Sequence, residues 1–276
     1  MKKNHLIAYI VFAFGAGIAF AVWRTVLLYR WFDPYLGEYA EDAARSLKGL
    51  GFAIFGVAVL LFTSYLLTRK TAFAPYSPSG NQLSVVASAF LGSVFLAVAL
   101  LDLLYYAKDL GFGSGIRAFD RVTLLLSFLC LIPSAAYFIA SASVERAGKR
   151  SCKILSFFPA LWALFYAVSS YANPNYQYQD ANRILCNVSL WAILLFFLFE
   201  TRNTVSEPLT ALRFPIALIA LMCSIAYVIP LLITTAFWEV DFCEETLFEA
   251  IECGAILYLI ATLRSIVLAQ KAPSEA

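Results

Sequence analysis

The sequence predicts an all-α fold, a polytopic bundle of about eight transmembrane helices. Of the 276 residues, 62% are hydrophobic and only 14% are charged, and the mean hydropathy is +0.78. A chain this apolar is typical of membrane proteins rather than of soluble domains. The apolar residues form runs of about 17 to 25, which suits helices that cross a bilayer, and they lack the alternation of barrel strands.

Polar and charged residues separate these runs and set the bounds of the predicted spans. The spans cover residues 6–27, 49–68, 83–106, 122–143, 154–172, 184–200, 212–236 and 247–269. The connections between them are short, so no soluble domain is expected, and no phosphate-binding glycine-rich loop occurs. Residues 1–276 are therefore predicted to form a single transmembrane domain.

The distribution of lysine and arginine predicts how the spans are oriented. Bases precede the first span, follow the second and separate the fourth from the fifth (Lys2, Lys3, Arg69, Lys70, Arg146, Lys149, Arg150, Lys153). The segment 237–246, on the opposite side, carries four acids and no base. By the positive-inside rule, both termini are predicted to be cytoplasmic, with the protein in the plasma membrane.

The first span fits two interpretations. Its basic start, its apolar stretch and the A-x-A sequence at 19–21 are typical of a cleaved signal peptide. Ala13, Gly17 and Ala21 are spaced four residues apart, and such small residues allow a neighbouring helix to come close. This stripe favours a retained helix that packs in the bundle.

Small residues, an acid and several prolines mark the spans that follow. Ala89, Ser93 and Ala97 repeat the small-residue stripe in the third span, and Asp102 near its outer end is expected to pair with an arginine.

Prolines lie inside the fourth, fifth and seventh spans (Pro133, Pro159, Pro215, Pro230). Neighbouring helices commonly compensate for the lost backbone hydrogen bonds, so packing is favoured over gating.

Several chemistries are excluded by residues that the chain lacks. His5 is its only histidine, so histidine-dependent zinc sites, hydrolases and lipid phosphatases are not expected, and we predict that the protein is not an enzyme. The six cysteines form no C-x-x-C pair, and neither a metal site nor a cofactor is predicted. A net charge of +2 argues against nucleic acid as a partner. A disulfide between Cys186 and Cys243, both on the outer side, is left open.

The stretch FWEVDFCEETLFEAIECG, residues 237–254, carries acids into the eighth span. Steps of four, four and three residues place these acids on one helical face (Asp241, Glu245, Glu249, Glu252). Eleven residues separate Glu252 from Arg264, about 17 Å of helix, so at least one of these charges must enter the hydrocarbon core. Arginine reaches the interface with its long stem, so the glutamate is the more demanding to explain.

A second polar stripe enters the sixth span, where NRILCNVSLW places Arg183, Asn187 and Trp191 at four-residue steps. Opposite charges make the two stripes natural neighbours. One interpretation is a structural network with arginines as counter-ions (Arg24, Arg121, Arg183). The other is an outward-facing polar cavity for a cation or a small polar solute, with Glu249 and Glu252 as ligands or proton acceptors. The candidate binding residues are Glu245, Glu249, Glu252, Arg183, Asn187, Trp191 and Asp102.

The segment 173–202, NPNYQYQDANRILCNVSLWAILLFFLFETR, joins a polar outer loop to a helix with an aromatic run and Glu200-x-Arg202. It resembles a family of uncharacterised eight-helix bacterial membrane proteins, and this resemblance implies no known activity. Glu200 and Arg202 are expected to form an interfacial pair at the cytoplasmic end. The leading functional hypothesis is binding or transport of a small polar solute or cation. The alternative is a sensor or assembly partner that acts through helix–helix contacts in the bilayer.

Overall fold

A computed structural model describes nine stretches of the chain, most of them helical. They are residues 3–33, 38–40, 43–68, 81–108, 118–143, 149–172, 181–205, 210–238 and 246–269. Their helices are α1 Lys3–Trp31, α2 Ala44–Thr68, α3 Gln82–Lys108, α4 Ala118–Ser141, α5 Arg150–Leu155, α6 Phe157–Ala172, α7 Ala181–Val205, α8 Thr210–Trp238 and α9 Thr246–Ala269. Between α1 and α2, the two-residue strands β1 (Phe32–Asp33) and β2 (Glu38–Tyr39) pair antiparallel.

Within the described stretches, eight helical segments are long and apolar enough to cross a membrane, which confirms the predicted all-α, multi-pass fold. They are Asn4–Trp31, Arg45–Leu67, Gln82–Leu104, Val122–Ser141, Arg150–Tyr171, Ile184–Val205, Leu212–Thr234 and Glu249–Ala269. The sixth span runs five residues beyond its predicted end at Glu200. The sequence prediction ended that span at its first charge, whereas the helix continues and buries this charge.

Six of the helices form a closed ring of contacts. Around the ring, α3 packs on α4, α4 on α6, α6 on α7, α7 on α8, α8 on α9, and α9 on α3. Helix α1 packs along α8, while α2 packs on α1 and α8. Successive spans alternate in direction. We call the end where α1 begins the terminal end, and the end where α9 begins the distal end.

Close helix contacts in the bundle occur at glycines. A Cβ added to Gly17 would lie 3.2 Å from the carbonyl oxygen of Met222 on α8, and Ala13 and Ala21 are also buried. The predicted packing stripe of the first span is therefore confirmed. A Cβ added to Gly92 on α3 would lie 3.1 Å from the carbonyl oxygen of Ala135 on α4.

The prediction that the small-residue stripe of the third span packs against a neighbouring helix is wrong. Ser93 and Ala97 are exposed on the surface of the bundle. The buried face of α3 is instead lined by Ser84, Ser88 and Gly92. Helix α3 has small residues at four-residue spacing on more than one face, so spacing alone does not identify the packed one.

Hydroxyl groups join α3 to α9 where the ring closes near the terminal end. The Oγ atoms of Ser84 and Ser265 lie 2.7 Å apart, and Asn81 Nδ2 donates to Ser265 Oγ at 2.9 Å. Asn81 Oδ1 also accepts from the backbone N–H of Leu83 at 3.2 Å, which caps the start of α3. We call this contact the α3–α9 seam.

Aromatic side chains fill the middle of the ring. The ring centroid of Phe138 lies 5.6 Å from that of Phe95, 5.8 Å from that of Phe197 and 5.2 Å from that of Tyr258. The centroids of Phe95 and Trp162 are 5.0 Å apart, edge to face. Five of the six ring helices contribute to this aromatic core, and stacked or edge-on aromatic pairs stabilise such packing.

The prolines predicted inside the spans lie within helices. Pro133 is inside α4, and Pro215 and Pro230 are inside α8. Pro159 is the third residue of α6, where a helix has no internal partner for the backbone N–H that proline lacks.

Candidate functional site

The Glu252 cluster joins three neighbouring helices of the ring. It consists of Glu252 on α9, Ser189 on α7 and Ser224 on α8, and all three side chains are 0% exposed. The Ser189 hydroxyl donates to Glu252 Oε1, and Ser189 Oγ lies 3.4 Å from Ser224 Oγ. The cluster therefore places a carboxylate and two hydroxyl oxygens together inside the bundle.

Helical spacing on α9 turns both of its described glutamates inward. Glu249 and Glu252 are one turn apart and share a face, and Glu249 is also buried. This confirms the inward-facing part of the predicted acidic stripe. Asp241 and Glu245, the other members, lie outside the described residues. Arg264, further along α9, is exposed. Of the two charges of which the sequence requires at least one in the hydrocarbon core, Glu252 is therefore the one inside the bundle.

The stripe predicted on the sixth span faces a different direction from the one expected. Trp191 is 46% exposed and so does not join the Glu252 cluster. Asn187 is half-buried, and its Oδ1 atom accepts no hydrogen bond from the described residues. The side chain of Arg183 lies outside the described part of the chain. The contact with Glu252 is made by Ser189, which the prediction missed.

The orientation of α7 explains this difference. Ser189 is two residues from both Asn187 and Trp191, about 200° around a helix of 3.6 residues per turn. Its face also carries buried Cys186 and Ile193. The spacing of these small and apolar residues is the signal that points to Ser189, but a serine between apolar residues is common in membrane helices.

Two further expectations concern residues near the distal end. Asp102 is half-buried on α3, and the side chains of Arg121 and Arg183 lie outside the described residues, so its pairing with an outer arginine stays a prediction. Cys186 is buried, and Cys243 also lies outside the described residues. The question of a disulfide between them stays open.

Arg24 of α1 is fully buried and holds α8. Its Nη1 atom donates to the backbone carbonyl of Tyr227 at 2.6 Å, and its Cζ atom lies 4.9 Å from the centroid of the Tyr227 ring. The N–H that Pro230 lacks would have bonded the carbonyl of Ala226, the residue before Tyr227. Arg24 therefore contacts α8 beside the carbonyl that loses its helical donor. The sequence predicted Arg24 only as a counter-ion to acids.

The Glu200 cluster lies nearer the terminal end and was not predicted as a site. Arg213 Nη2 of α8 forms an ion pair with Glu200 Oε2 of α7, and the Tyr258 hydroxyl of α9 donates to Glu200 Oε1 at 3.1 Å. All three side chains are at most 2% exposed. A guanidinium and a phenol on two different helices thus hold one buried carboxylate.

The predicted interfacial pair of Glu200 and Arg202 is therefore wrong. Arg202 is exposed, whereas Glu200 turns inward to Arg213. Residues two apart on a helix point to different sides and do not face each other. The true partner is thirteen residues away along the chain, on the next helix.

Hydroxyl contacts surround the Glu200 cluster. Thr204 Oγ1 donates to the Glu200 backbone carbonyl at 2.9 Å, and it lies 3.4 Å from the Tyr137 hydroxyl of α4. Thr201 Oγ1 donates to the carbonyl of Ser156, between α5 and α6, at 2.5 Å. The terminal end of α7 is thereby tied to α4, to the α5–α6 junction, to α8 and to α9.

Glu252 is completely buried, whereas one of the two interpretations of the polar stripes is an outward-facing cavity. The grooves on the outside of the described helices include one between α1 and α8 with an apolar lining and one between α1 and α2 that contains His5. Neither groove reaches Glu252. Comparisons with known protein families, with curated proteins and with solved structures found no match to this chain.

Proposed function

We propose that this multi-pass membrane protein binds a small cation or a small polar solute at the Glu252 cluster and moves it across the bilayer. The observation that carries the proposal is the complete burial of Glu252 beside the Ser189 and Ser224 hydroxyls. A carboxylate in the interior of a membrane bundle costs free energy, and such groups commonly mark ion or proton paths.

The chemistry of the cluster favours a cation over an anion. Carboxylate and hydroxyl oxygens are the ligands that hard cations take, and a carboxylate also accepts a proton. The three oxygen-bearing residues come from α7, α8 and α9, so a bound ion would join three helices. Glu249, buried one turn closer to the distal end, provides a second carboxylate on the way to that end.

The membrane and the direction of movement belong to the same proposal. The basic residues at the terminal end support a cytoplasmic position for both termini in a bacterial plasma membrane. Glu252 is six residues from the start of α9, so the distal end, which would then be outside, is the shorter route to it. The proposed role is non-enzymatic and requires no cofactor.

The experiment measures the melting temperature of the purified protein from pH 5 to pH 9, with and without sodium and a panel of small polar solutes. A ligand that binds only the folded protein raises the melting temperature by mass action. We expect a saturable increase with sodium or one of the solutes, and we expect Glu252→Gln to abolish it.

Ser84→Ala is the matched control. It removes one buried hydroxyl at the α3–α9 seam, where Ser265 is thirteen residues from Glu252, about 20 Å along α9. This change should lower the melting temperature while the response to ligand persists. If Glu252→Gln lowers stability and no ligand raises the melting temperature of the native chain, the cluster is a structural network. A sensor or assembly partner is then the better assignment.

A further inference from the structure

The two buried clusters are built on the same three helices at two levels of the bundle. Helix α7 carries Ser189 and, eleven residues later, Glu200, while α8 carries Arg213 and, eleven residues later, Ser224. On α9, Glu252 and Tyr258 are six residues apart. At 1.5 Å per residue, the levels are separated by about 9 to 17 Å. The Glu200 cluster thus lies between the Glu252 cluster and the terminal end.

Aromatic side chains fill the space between the two levels. Phe196 and Phe197 of α7 come between Ser189 and Glu200 in the sequence, and both are almost completely buried. The Tyr258 ring packs against Phe138 at 5.2 Å and Phe196 at 6.1 Å between centroids, and its hydroxyl reaches Glu200. Tyr258 therefore belongs both to the aromatic layer and to the ion pair beneath it.

The energetics of a buried ion pair suit a contact that opens and closes. Removing two charges from water costs nearly as much as their attraction returns, so such a pair adds little net stability. If the terminal ends of α7 and α8 separate, water hydrates both charges and offsets the lost attraction. The closed and open arrangements can then be close in free energy, which a two-state element requires.

We propose that the Glu200 cluster is a gate that closes the terminal end of the path to Glu252. This inference rests on the proposed function, because a gate needs a site to control. With Glu200, Arg213 and Tyr258 in contact, the aromatic layer closes the terminal side, and the buried Glu252 exchanges its ligand only toward the distal end. Opening the ion pair separates α7, α8 and α9 at the terminal end and admits water to Glu252.

Cys223 provides a native reporter for this opening. It precedes Ser224 on α8 and is 5% exposed. A variant that keeps Cys223 as its single cysteine is reconstituted into vesicles, and a charged, membrane-impermeant thiol reagent is added to one side at a time. A cysteine introduced by Ser206→Cys in a Cys223→Ala background, in the connection between α7 and α8, identifies the side on which the terminal end lies.

The test compares two tyrosine hydroxyls at the same level. Tyr258→Phe removes a donor to Glu200 and keeps the ring, whereas Tyr137→Phe removes a hydroxyl that contacts Thr204. Loss of a hydrogen bond to a charged group should raise the rate of Cys223 modification from the terminal side about tenfold in Tyr258→Phe. Glu200→Gln should raise it further, and Tyr137→Phe should match the parent.

Equal modification rates in Tyr258→Phe, Glu200→Gln and the parent would overturn the gate, as would an equal increase from both sides, which indicates general loosening. The melting-temperature response to sodium and solutes, measured on the same variants, reports separately on the site. If Glu252→Gln abolishes the ligand response but labelling is not side-specific, the binding site is supported and the gate is contradicted. If labelling is side-specific but no ligand raises the melting temperature, the opening motion is supported and the proposed binding is contradicted.

Discussion

The two buried glutamates, Glu200 on α7 and Glu252 on α9, lie on helices of the same ring that are separated by α8. Both side chains are almost completely buried, yet the partners described for them differ. Glu200 accepts from the Arg213 guanidinium and the Tyr258 phenol, whereas the contact described at Glu252 Oε1 comes from the Ser189 hydroxyl. A guanidinium brings a full positive charge on a fixed planar fork. A serine hydroxyl brings only a dipole that rotates freely.

This difference separates a contact that fixes helices from one that adapts. An ion pair that loses one member leaves a buried charge, so both members must stay or move together. A hydroxyl can turn to donate to a carboxylate or to offer its oxygen to a cation. The comparison supports a holding or gating role for the Glu200 cluster and a binding role for the Glu252 cluster.

The largest expected effect is at Arg213, because its guanidinium is the positive charge that pairs with the Glu200 carboxylate. Arg213→Met should lower the free energy of unfolding by about 3–5 kcal/mol, since the Glu200 carboxylate is left buried without its guanidinium. The double variant Glu200→Gln, Arg213→Met should recover most of this loss. Equilibrium unfolding in detergent measures both, and an equal loss in the single and double variants would show that the pair is not coupled.

The next effect tests the phenol. Tyr258→Phe removes a hydrogen bond to a charged acceptor and should cost about 1.5–3 kcal/mol of unfolding free energy. In Tyr137→Phe the lost hydroxyl lies 3.4 Å from that of the neutral Thr204, beyond the usual range of O–H···O bonds, so this change should cost less than about 0.5 kcal/mol. The same unfolding measurement applies. Similar costs for the two variants would remove Tyr258 from the Glu200 cluster as an energetic partner.

Ser189→Ala addresses the other side of the comparison. It removes the donor to Glu252 Oε1 and should cost about 1–3 kcal/mol. Ser224→Ala should cost less than about 0.5 kcal/mol, because its Oγ lies 3.4 Å from that of Ser189, beyond the usual range of O–H···O bonds. Thermal or chemical unfolding distinguishes them. Equal costs would mean that both hydroxyls contribute equally to the Glu252 cluster.

The smallest effect concerns the exposed base next to the Glu200 cluster. Arg202→Ala should change the unfolding free energy by no more than about 0.5 kcal/mol, because substitutions at exposed positions are usually mild. A loss close to that of Arg213→Met would restore the pairing of Glu200 with Arg202 that the sequence suggested. The comparison between the two glutamates would then have to be drawn differently.

The sequence predicted the spans well because hydropathy is a property of each segment by itself. Every predicted span overlaps a helix long and apolar enough to cross a membrane. The inward position of Glu249 and Glu252 was also predictable, because helical spacing places both on one face. Placing an acid toward the bundle rather than toward lipid follows from its cost in hydrocarbon.

The direction that an apolar helix faces was much harder to predict. Lipid and the protein interior are both apolar, so hydropathy does not separate the two faces of a membrane helix. Hydropathy therefore did not reveal that Trp191 faces outward and Ser189 inward. Arg213 was missed as the partner of Glu200 because helical spacing predicts only which residues of one helix share a face. The contact between Glu200 and Arg213 joins two helices.

The α3–α9 seam has a consequence for how the protein is made. Ser84 and Ser265 are in contact although they are 181 residues apart in the chain. The last described span must therefore be synthesised before the ring can close. Until then the face of α3 that carries Ser84 and Ser88 lacks its partner helix in the bilayer. The ring therefore closes only after α9 has been made, and we expect a chain truncated before α9 to leave this face of α3 without its partner helix.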